Sequence, residues 1–547
     1  MNEKIKWSIF VLLLILLIWT RFVNLSWGLT YPFHPDERNM ADALQQLACQ
    51  LPAINDHSFV SLLKDCMNPH FFAYGQFPLY LGYLLLQIWH LLTHRLSAQI
   101  AFAEAVMALR IISAAASLVI VYLLVKLINL LTSNSQKQIF DLFLVVLIFI
   151  FSPGLIQFAH FGTTESLLML FYTALVYLTI CLVKDKIRFS LFILASSLIG
   201  GLAIATKISS LIFLAVPVLA IFLSKKKFWQ ATVQVFYFGL LVVVVSLLFS
   251  PQNWLSFTEF INSINYEISV ATGTTQVFYT RQFLNTIPVL FQFQQIFPYA
   301  LGWPVLILFV LGFFLLPYNQ EMNLLRFSFL VYFLPTAFIY TKWTRFMAPV
   351  VPIMLAVAVL EMVILLQQTK KLIPTILLFV LIIPGVAFLA VYTTPDVRFL
   401  ASNWIYKHIP NNSTILSETA NIVDLPIPPP NEFVQSGNNY NYISFNFYDL
   451  DTDNNLQKQL KQNILQADYI FIPSRRIFLD SPRDKYPLLN DYYDKLFSGK
   501  VGFKQVAEFT SYPKLAIGNW QLVFPDEQAE ETFTVFDHPV IRIYKKI

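Results

Sequence analysis

Hydrophobic positions run on without interruption through most of the first 390 or so residues, then give way to short alternating stretches. Twelve apolar segments stand out, at 7–23, 77–92, 107–128, 139–158, 165–183, 189–206, 208–223, 229–250, 299–316, 326–341, 346–366 and 373–392. Each reaches or approaches the roughly 20 residues a helix needs to cross a bilayer. The run after Lys4 and Lys6 has the charge pattern of a signal peptide, but no small-residue cleavage site follows and it continues into Trp19. It reads as a retained first span.

Basic residues decide how many segments cross. With the N-terminus inside and twelve crossings, Lys184/Lys186/Arg188, Lys225–Lys227 and Lys370–Lys371 would all face outward, against the positive-inside bias. Withdrawing one early segment returns them to the cytoplasm, together with Lys126, Lys137 and Arg326. Segment 77–92 is the one to withdraw, because it is among the shortest, has a proline in its first turn (Pro78) and carries Gln87 and His90, as suits a helix at the outer interface. The expectation is an α-helical integral membrane protein of about 11 transmembrane helices, with interfacial helices in the first external loop. Its N-terminus is then cytoplasmic, and loops 24–106 and 251–298 and the tail are external.

The tail changes character after Pro395, where polar residues rise and Pro426 to Pro430 and Asn438 to Asn441 punctuate the chain. Ile415-Leu416, Tyr469–Ile472 and Val540–Tyr544 read as strands, and Leu456–Gln466 and Leu488–Phe497 as helices. A small extracytoplasmic α/β domain at 395–547 is expected to follow a membrane domain at 1–394. Tyr440, Tyr442, Phe445, Phe447 and Tyr448 read as core aromatics rather than a sugar platform, and Arg475 and Arg476 as solvated surface.

Composition agrees with a membrane protein: 56% of residues are hydrophobic and 13% charged, with a mean hydropathy of +0.60. Disorder and nucleic-acid binding are poor fits. Cys49, Cys66 and Cys181 are too few for a disulfide scaffold or a thiolate metal site; Cys49 and Cys66 share a loop, and a bond between them is left open.

Against this scarcity of charge, His34-Pro35-Asp36-Glu37-Arg38 after the first span needs a reason. The Asp-Glu pair either caps a helix expected over Asn39–Leu51 or belongs to a site. On the expected topology Arg110, His160, Glu165, Lys207, Lys342 and Arg345 fall on the same outer edge. Each alone reads as an interfacial residue; together they favour a site, with His34, Tyr74, Arg110 and His160 as candidates for substrate contact. Span interiors are nearly free of charge, Glu361 lying near an inner end, which counts against a transporter. A flippase of lipid-linked sugars stays as the alternative, because Pro217, Pro335 and Pro384 can kink helices.

One carboxylate on such a face can take a proton from an attacking hydroxyl, while cations stabilise a departing phosphate. Glycosyl transfer fits, since positive charge grows on the sugar and negative charge on the leaving group. His34, Asp36, Glu37, His57, His70 and His160 are ligand types, but without HExxH or paired-cysteine spacing neither a tightly held zinc nor any required cofactor is expected.

These motifs resemble the C-type membrane glycosyltransferases, including bacterial relatives of the protein O-mannosyltransferases (glycosyltransferase family 39) and the lipid A aminoarabinose transferase. The matching residues are His34–Arg38, Asn68-Pro69-His70-Phe71-Phe72-Ala73-Tyr74-Gly75 leading to Phe77–Leu81, Phe161–Glu165, Gly201–Lys207 and Lys342–Pro349. The resemblance implies an inverting transfer from a polyprenyl-phosphate-linked sugar to an extracytoplasmic protein, lipid or glycan. It implies Asp36 as catalytic base, supported by Glu37 and Glu165, with Lys207, Lys342, Arg345 and Arg38 on the lipid phosphate. Glu165 stands where the family more usually has Asp.

Overall fold

A computed structural model describes residues 3–47, 67–95, 99–132, 145–224, 227–368, 372–428, 439–518 and 520–547. His57, Lys137, Lys225, Lys226, Lys370, Lys371 and the Cys49–Cys66 pair lie outside the described residues.

Among the described residues seven helices are long and apolar enough to cross a membrane: Glu3–Phe22, Phe102–Leu131, Glu165–Val183, Phe189–Thr206, Phe228–Phe249, Thr344–Gln367 and Ile376–Thr393. Gln292–Leu301 and Trp303–Leu315 make an eighth if taken as one span bent by 112°. This is a multi-pass membrane protein, in which unbroken or once-bent helices supply seven or eight of the eleven crossings expected. Hydropathy sees composition and misses backbone breaks. Segment 139–158 is interrupted before Pro153, which starts the separate Pro153–His160 helix, because proline has no N–H to continue one. Segment 208–223 opens as a 3-10 turn, Ile208–Leu214, before Ala215–Leu223. The 112° bend falls at Gly302, whose φ of +84° suits glycine and strains other residues.

The chain forms two compact units, Met1–Ser269 with Phe297–Ile339 and Arg345–Val386, and Val270–Ile296 with Tyr340–Thr344 and Ala387–Ile547. In the first, the 30-residue Phe102–Leu131 helix packs against Glu165–Val183, Phe77–Leu92, Pro153–His160 and Pro35–Gln46. Two buried arginines close helix ends there. Arg21 donates to the carbonyls of Phe149 (2.9 Å) and Ile150 (2.8 Å), and Arg326 to those of Phe313 (2.7 Å) and Leu316 (2.5 Å). The last carbonyls of a helix have no intrahelical donor, and a guanidinium supplies several.

The second unit holds a five-stranded sheet in the order β2-β1-β3-β7-β4 and a β5-β6 hairpin. The strands are β1 Thr414–Glu418, β2 Asn441–Phe445, β3 Tyr469–Ile472, β4 Phe503–Phe509, β5 Lys514–Ile517, β6 Trp520–Val523 and β7 Ile541–Lys546. β1 runs parallel to β2 and β3, and β7 antiparallel to β3 and β4. Helices Asn454–Gln466 and Pro487–Phe497 lie close to their expected positions. Phe445, Phe447 and Tyr448 enter the core with Tyr492 and Tyr493, while Tyr442 on the edge strand stays half exposed.

Arg475 and Arg476 are not the solvated surface expected of them. Arg475 pairs with Asp480 at 3.1 Å and Arg476 with Glu531, all four buried or nearly so. Glu531 comes from 55 residues along the chain, so the sequence near Arg476 gives no sign of it. The unit also takes in two segments from outside the tail. Thr341 N–H donates to Ala271 O (3.1 Å), Tyr340 OH to Thr280 O (3.1 Å), and Thr344 N–H and Oγ1 both to Glu530 (2.8 Å each).

Candidate active site

The site grows from the first turn of the Pro35–Gln46 helix. Proline suits that position, where its missing N–H would have no partner, and His34 is the N-cap, its Nδ1 3.5 Å from Glu37 N. Asp36 and Glu37 thus lie inside the first turn, where the helix dipole favours carboxylates, rather than ahead of a helix starting at Asn39. Neighbouring residues on a helix point about 100° apart, and the two carboxylates part company accordingly.

Glu37 turns inward. Its Oε1 accepts from Arg110 Nε and Gly162 N, and its Oε2 from Arg110 NH2, all at 2.7 Å. Arg110 also donates to the carbonyls of Leu25 (2.7 Å) and Trp27 (2.8 Å) and stacks 4.3 Å from the Trp27 ring. His160 continues this brace, with its ring nitrogens 2.8 and 2.9 Å from Ile156 O and Val23 O. The His34 ring meets Phe161 edge-on at 4.7 Å. Burial, with help from the charges of Arg345 and Arg110, holds His34 well below the usual imidazole range, so it is neutral at pH 7.

Asp36 turns the other way and pairs with Arg345, each side chain about one-fifth exposed (20%). Arg345 NH1 also lies 3.4 Å from Tyr74 OH. Lys207 Nζ sits 4.8 Å from the centre of the Tyr74 ring and 5.3 Å from that of Phe346, and Arg345 lies 5.8 Å from the centre of the same Phe346 ring, so both cations meet Tyr74 and Phe346. Among the described residues Lys207 makes no ion pair within 4 Å.

Backbone bonds explain why Tyr74 and Lys207 meet. Helix Phe189–Thr206 ends just before Lys207, and Gly75 N–H donates to the helix-terminal carbonyl of Thr206 at 2.9 Å. Ser250 Oγ accepts from Gln76 N–H (2.8 Å) and donates to Ala205 O (3.3 Å). A Cβ at position 75 would fall 2.0 Å from Ala205 O. The approach needs glycine for lack of space.

Glu165, buried at the start of its helix, touches Thr164 Oγ1 (3.4 Å) and acts on Lys207 and Tyr74 through its field. Burial lowers the Lys207 ammonium below its usual range, while Glu165 and Glu267 pull it back up. Burial, then the same two carboxylates, raises the Tyr74 phenol well above its ordinary value, keeping it a neutral donor. Glu267, on the Phe257–Thr272 helix, escapes the sequence reading because an isolated acid in an amphipathic segment expected outside the membrane looks like any solvated residue.

The structure therefore gathers Asp36, Tyr74, Lys207 and Arg345, with Glu165 nearby in field. Glu37, Arg110 and His160 serve the brace behind them. Arg38 points outward and is exposed. Lys342 belongs to the second unit, where its Nζ donates to Tyr340 O at 2.9 Å, and is not among the residues gathered here. Among the described residues no three His, Cys, Asp or Glu side chains are grouped to hold a metal ion.

No family model and no curated protein matches the chain. Solved structures do. The oligosaccharyltransferase of Archaeoglobus fulgidus in its apo form aligns at 9% identity over 90% of this chain and 73% of its own, with a TM-score of 0.51. ArnT from Cupriavidus metallidurans aligns at 14% identity over 75% of this chain and 67% of its own in the apo state, TM-score 0.45. Bound to undecaprenyl phosphate it aligns at 12% over 74% and 73%, TM-score 0.48. At these identities the likeness to the oligosaccharyltransferase is one of fold, and that fold agrees with the resemblance read from the motifs around Asp36.

Proposed function

We propose that the protein is an inverting glycosyltransferase, moving a sugar from a polyprenyl-phosphate carrier to an acceptor hydroxyl on the extracytoplasmic side. One observation carries the reading: a partly exposed carboxylate, Asp36, shares a site with two cations, Arg345 and Lys207, set around one tyrosine. Fold likeness to an oligosaccharyltransferase supports it.

In this reading Asp36 takes the proton of the acceptor hydroxyl as that oxygen attacks the anomeric carbon. The bond from that carbon to the phosphate oxygen breaks on the opposite face, and its electron pair leaves with the phosphate. Lys207 and Arg345 stabilise that charge, and fixed cations of this kind act without reorganising during the reaction. Tyr74, kept neutral, accepts from Arg345 and lays its ring against Lys207, while Glu165 tempers the field at Lys207. Glu37 and Arg110 act at one remove, by holding the helix turn that presents Asp36. No cofactor enters, the acceptor is a protein, lipid or glycan outside the cell, and eleven crossings with a cytoplasmic N-terminus would put the donor's phosphate at the outer interface.

Purified Asp36→Asn should lose transfer by at least about a hundredfold, the usual contribution of a positioned base, while still binding polyprenyl phosphate. Turnover close to wild type would remove Asp36 from the role. A flippase would instead move the lipid-linked sugar across liposomes unchanged, with Asp36→Asn still active.

A further inference from the structure

Asp36 and Arg345 have conflicting duties. A general base needs a carboxylate lone pair open to the acceptor's proton, and a phosphate ligand needs its guanidinium N–H groups open to the donor. Yet the two side chains are bonded to each other. Both are about one-fifth exposed, so an incoming ligand can reach the pair. Lys207, against the Tyr74 ring whose hydroxyl faces Arg345, has no carboxylate of its own within 4 Å among the described residues and can receive the anion first.

We infer that Arg345 serves two anions in turn, Asp36 before the donor binds and the donor's phosphate afterwards, so that donor binding is what releases the base. This rests on the phosphate-site reading above and adds three consequences. Transfer must wait for the donor, whichever ligand binds first, because only the exchanged state has a competent base. The pairing also strengthens along the reaction. As Asp36 takes the acceptor's proton it becomes a neutral carboxyl and stops competing for Arg345. The guanidinium therefore turns fully to the phosphate as the sugar–phosphate bond breaks, which is binding energy realised in the transition state. Once the phosphate carrier leaves, Asp36 passes the acceptor's proton to water, which its partial exposure admits, and the carboxylate recaptures Arg345, leaving the site idle.

A double-mutant cycle on ligand binding tests the exchange, with a polyprenyl monophosphate as probe and wild type, Asp36→Asn, Arg345→Ala, the double variant and Lys207→Ala in lipid nanodiscs. If Arg345 must give up Asp36 to bind phosphate, Asp36→Asn binds the probe about three- to tenfold more tightly than wild type, the range for one partly exposed charge-assisted pair. That gain vanishes in the Arg345→Ala background. A general field effect of the lost negative charge would persist without Arg345, and that result overturns the exchange. So does unchanged or weaker binding by Asp36→Asn while wild type binds and Lys207→Ala binds less, an outcome that leaves the phosphate site standing. If wild type binds no polyprenyl phosphate, the functional reading fails and the exchange with it.

Discussion

Asp36 and Glu37 are adjacent, acidic and in the same helical turn, yet they meet opposite environments. Glu37 is enclosed with Arg110, and breaking a buried pair by removing one partner leaves an uncompensated charge. Glu37→Gln should therefore cost roughly 3 kcal/mol or more, read as a lower melting temperature in detergent. Asp36→Asn, at a partly open pair, should change melting little. Lys207 carries the pH dependence. A lysine held below its usual range loses its charge at lower pH than an exposed one, so donor binding, which needs that charge, weakens as pH rises through the lowered pKa. Lys207→Arg keeps its charge at all these pH values, and the alkaline decline in donor affinity should disappear; a decline unchanged in the variant would assign it to another group.

Elements set the distances that these residues need. The loop at Tyr74-Gly75-Gln76 fastens to the end of helix Phe189–Thr206, and that seam puts an aromatic ring under Lys207. Gly75→Ala drives a methyl group into the Ala205 carbonyl, so it should lower transfer at least tenfold and destabilise the first unit, since backbone on both sides must shift. Gly239, on the Phe228–Phe249 helix, has nothing within 4 Å of the same added atom, and Gly239→Ala should leave activity unchanged. Equal effects of the two substitutions would mean that the close approach of Gly75 to Ala205 is not what limits activity. The brace around Arg110 is the matching device on the other side, holding the turn at Pro35 against the Gly162 amide.

At the scale of the whole molecule, each unit carries its own buried charge. In the second unit Glu418, at the end of β1, accepts from Tyr493 OH (2.5 Å) and Asn421 Nδ2 (2.6 Å), and burial raises its carboxyl from 4.5 to about 7. A raised acid favours its protonated form in the folded state. Its contribution is complete below the unfolded value of 4.5 and is lost as pH climbs to about 7, by roughly 1.4 kcal/mol per pH unit in that window. Amide exchange in β1 and β3 should accordingly quicken from pH 4.5 to 7 beyond the intrinsic chemical rate. Glu418→Gln, which cannot ionise, should flatten that trend. In the first unit orientation is the open test, and a reporter placed after Lys227 should read cytoplasmic.

Hydrophobic length and alternation are local properties, so the membrane-spanning character, the 165–183 and 189–206 helices to the residue, and in the tail strands β1, β3 and β7 with the two helices Asn454–Gln466 and Pro487–Phe497 are all readable along the chain, whereas β2 is not. The scarcity of charge makes Asp36, Lys207 and Arg345 visible for the same reason. Breaks at Pro153 and Gly302 are not, because hydropathy averages over backbone conformation. Nor is the division of labour between Asp36 and Glu37, which depends on partners 309 and 73 residues away. Charge type and spacing are written in the chain, but which charge meets which is settled by packing, since neighbours seal one carboxylate, Glu37, from water and leave the other, Asp36, partly open.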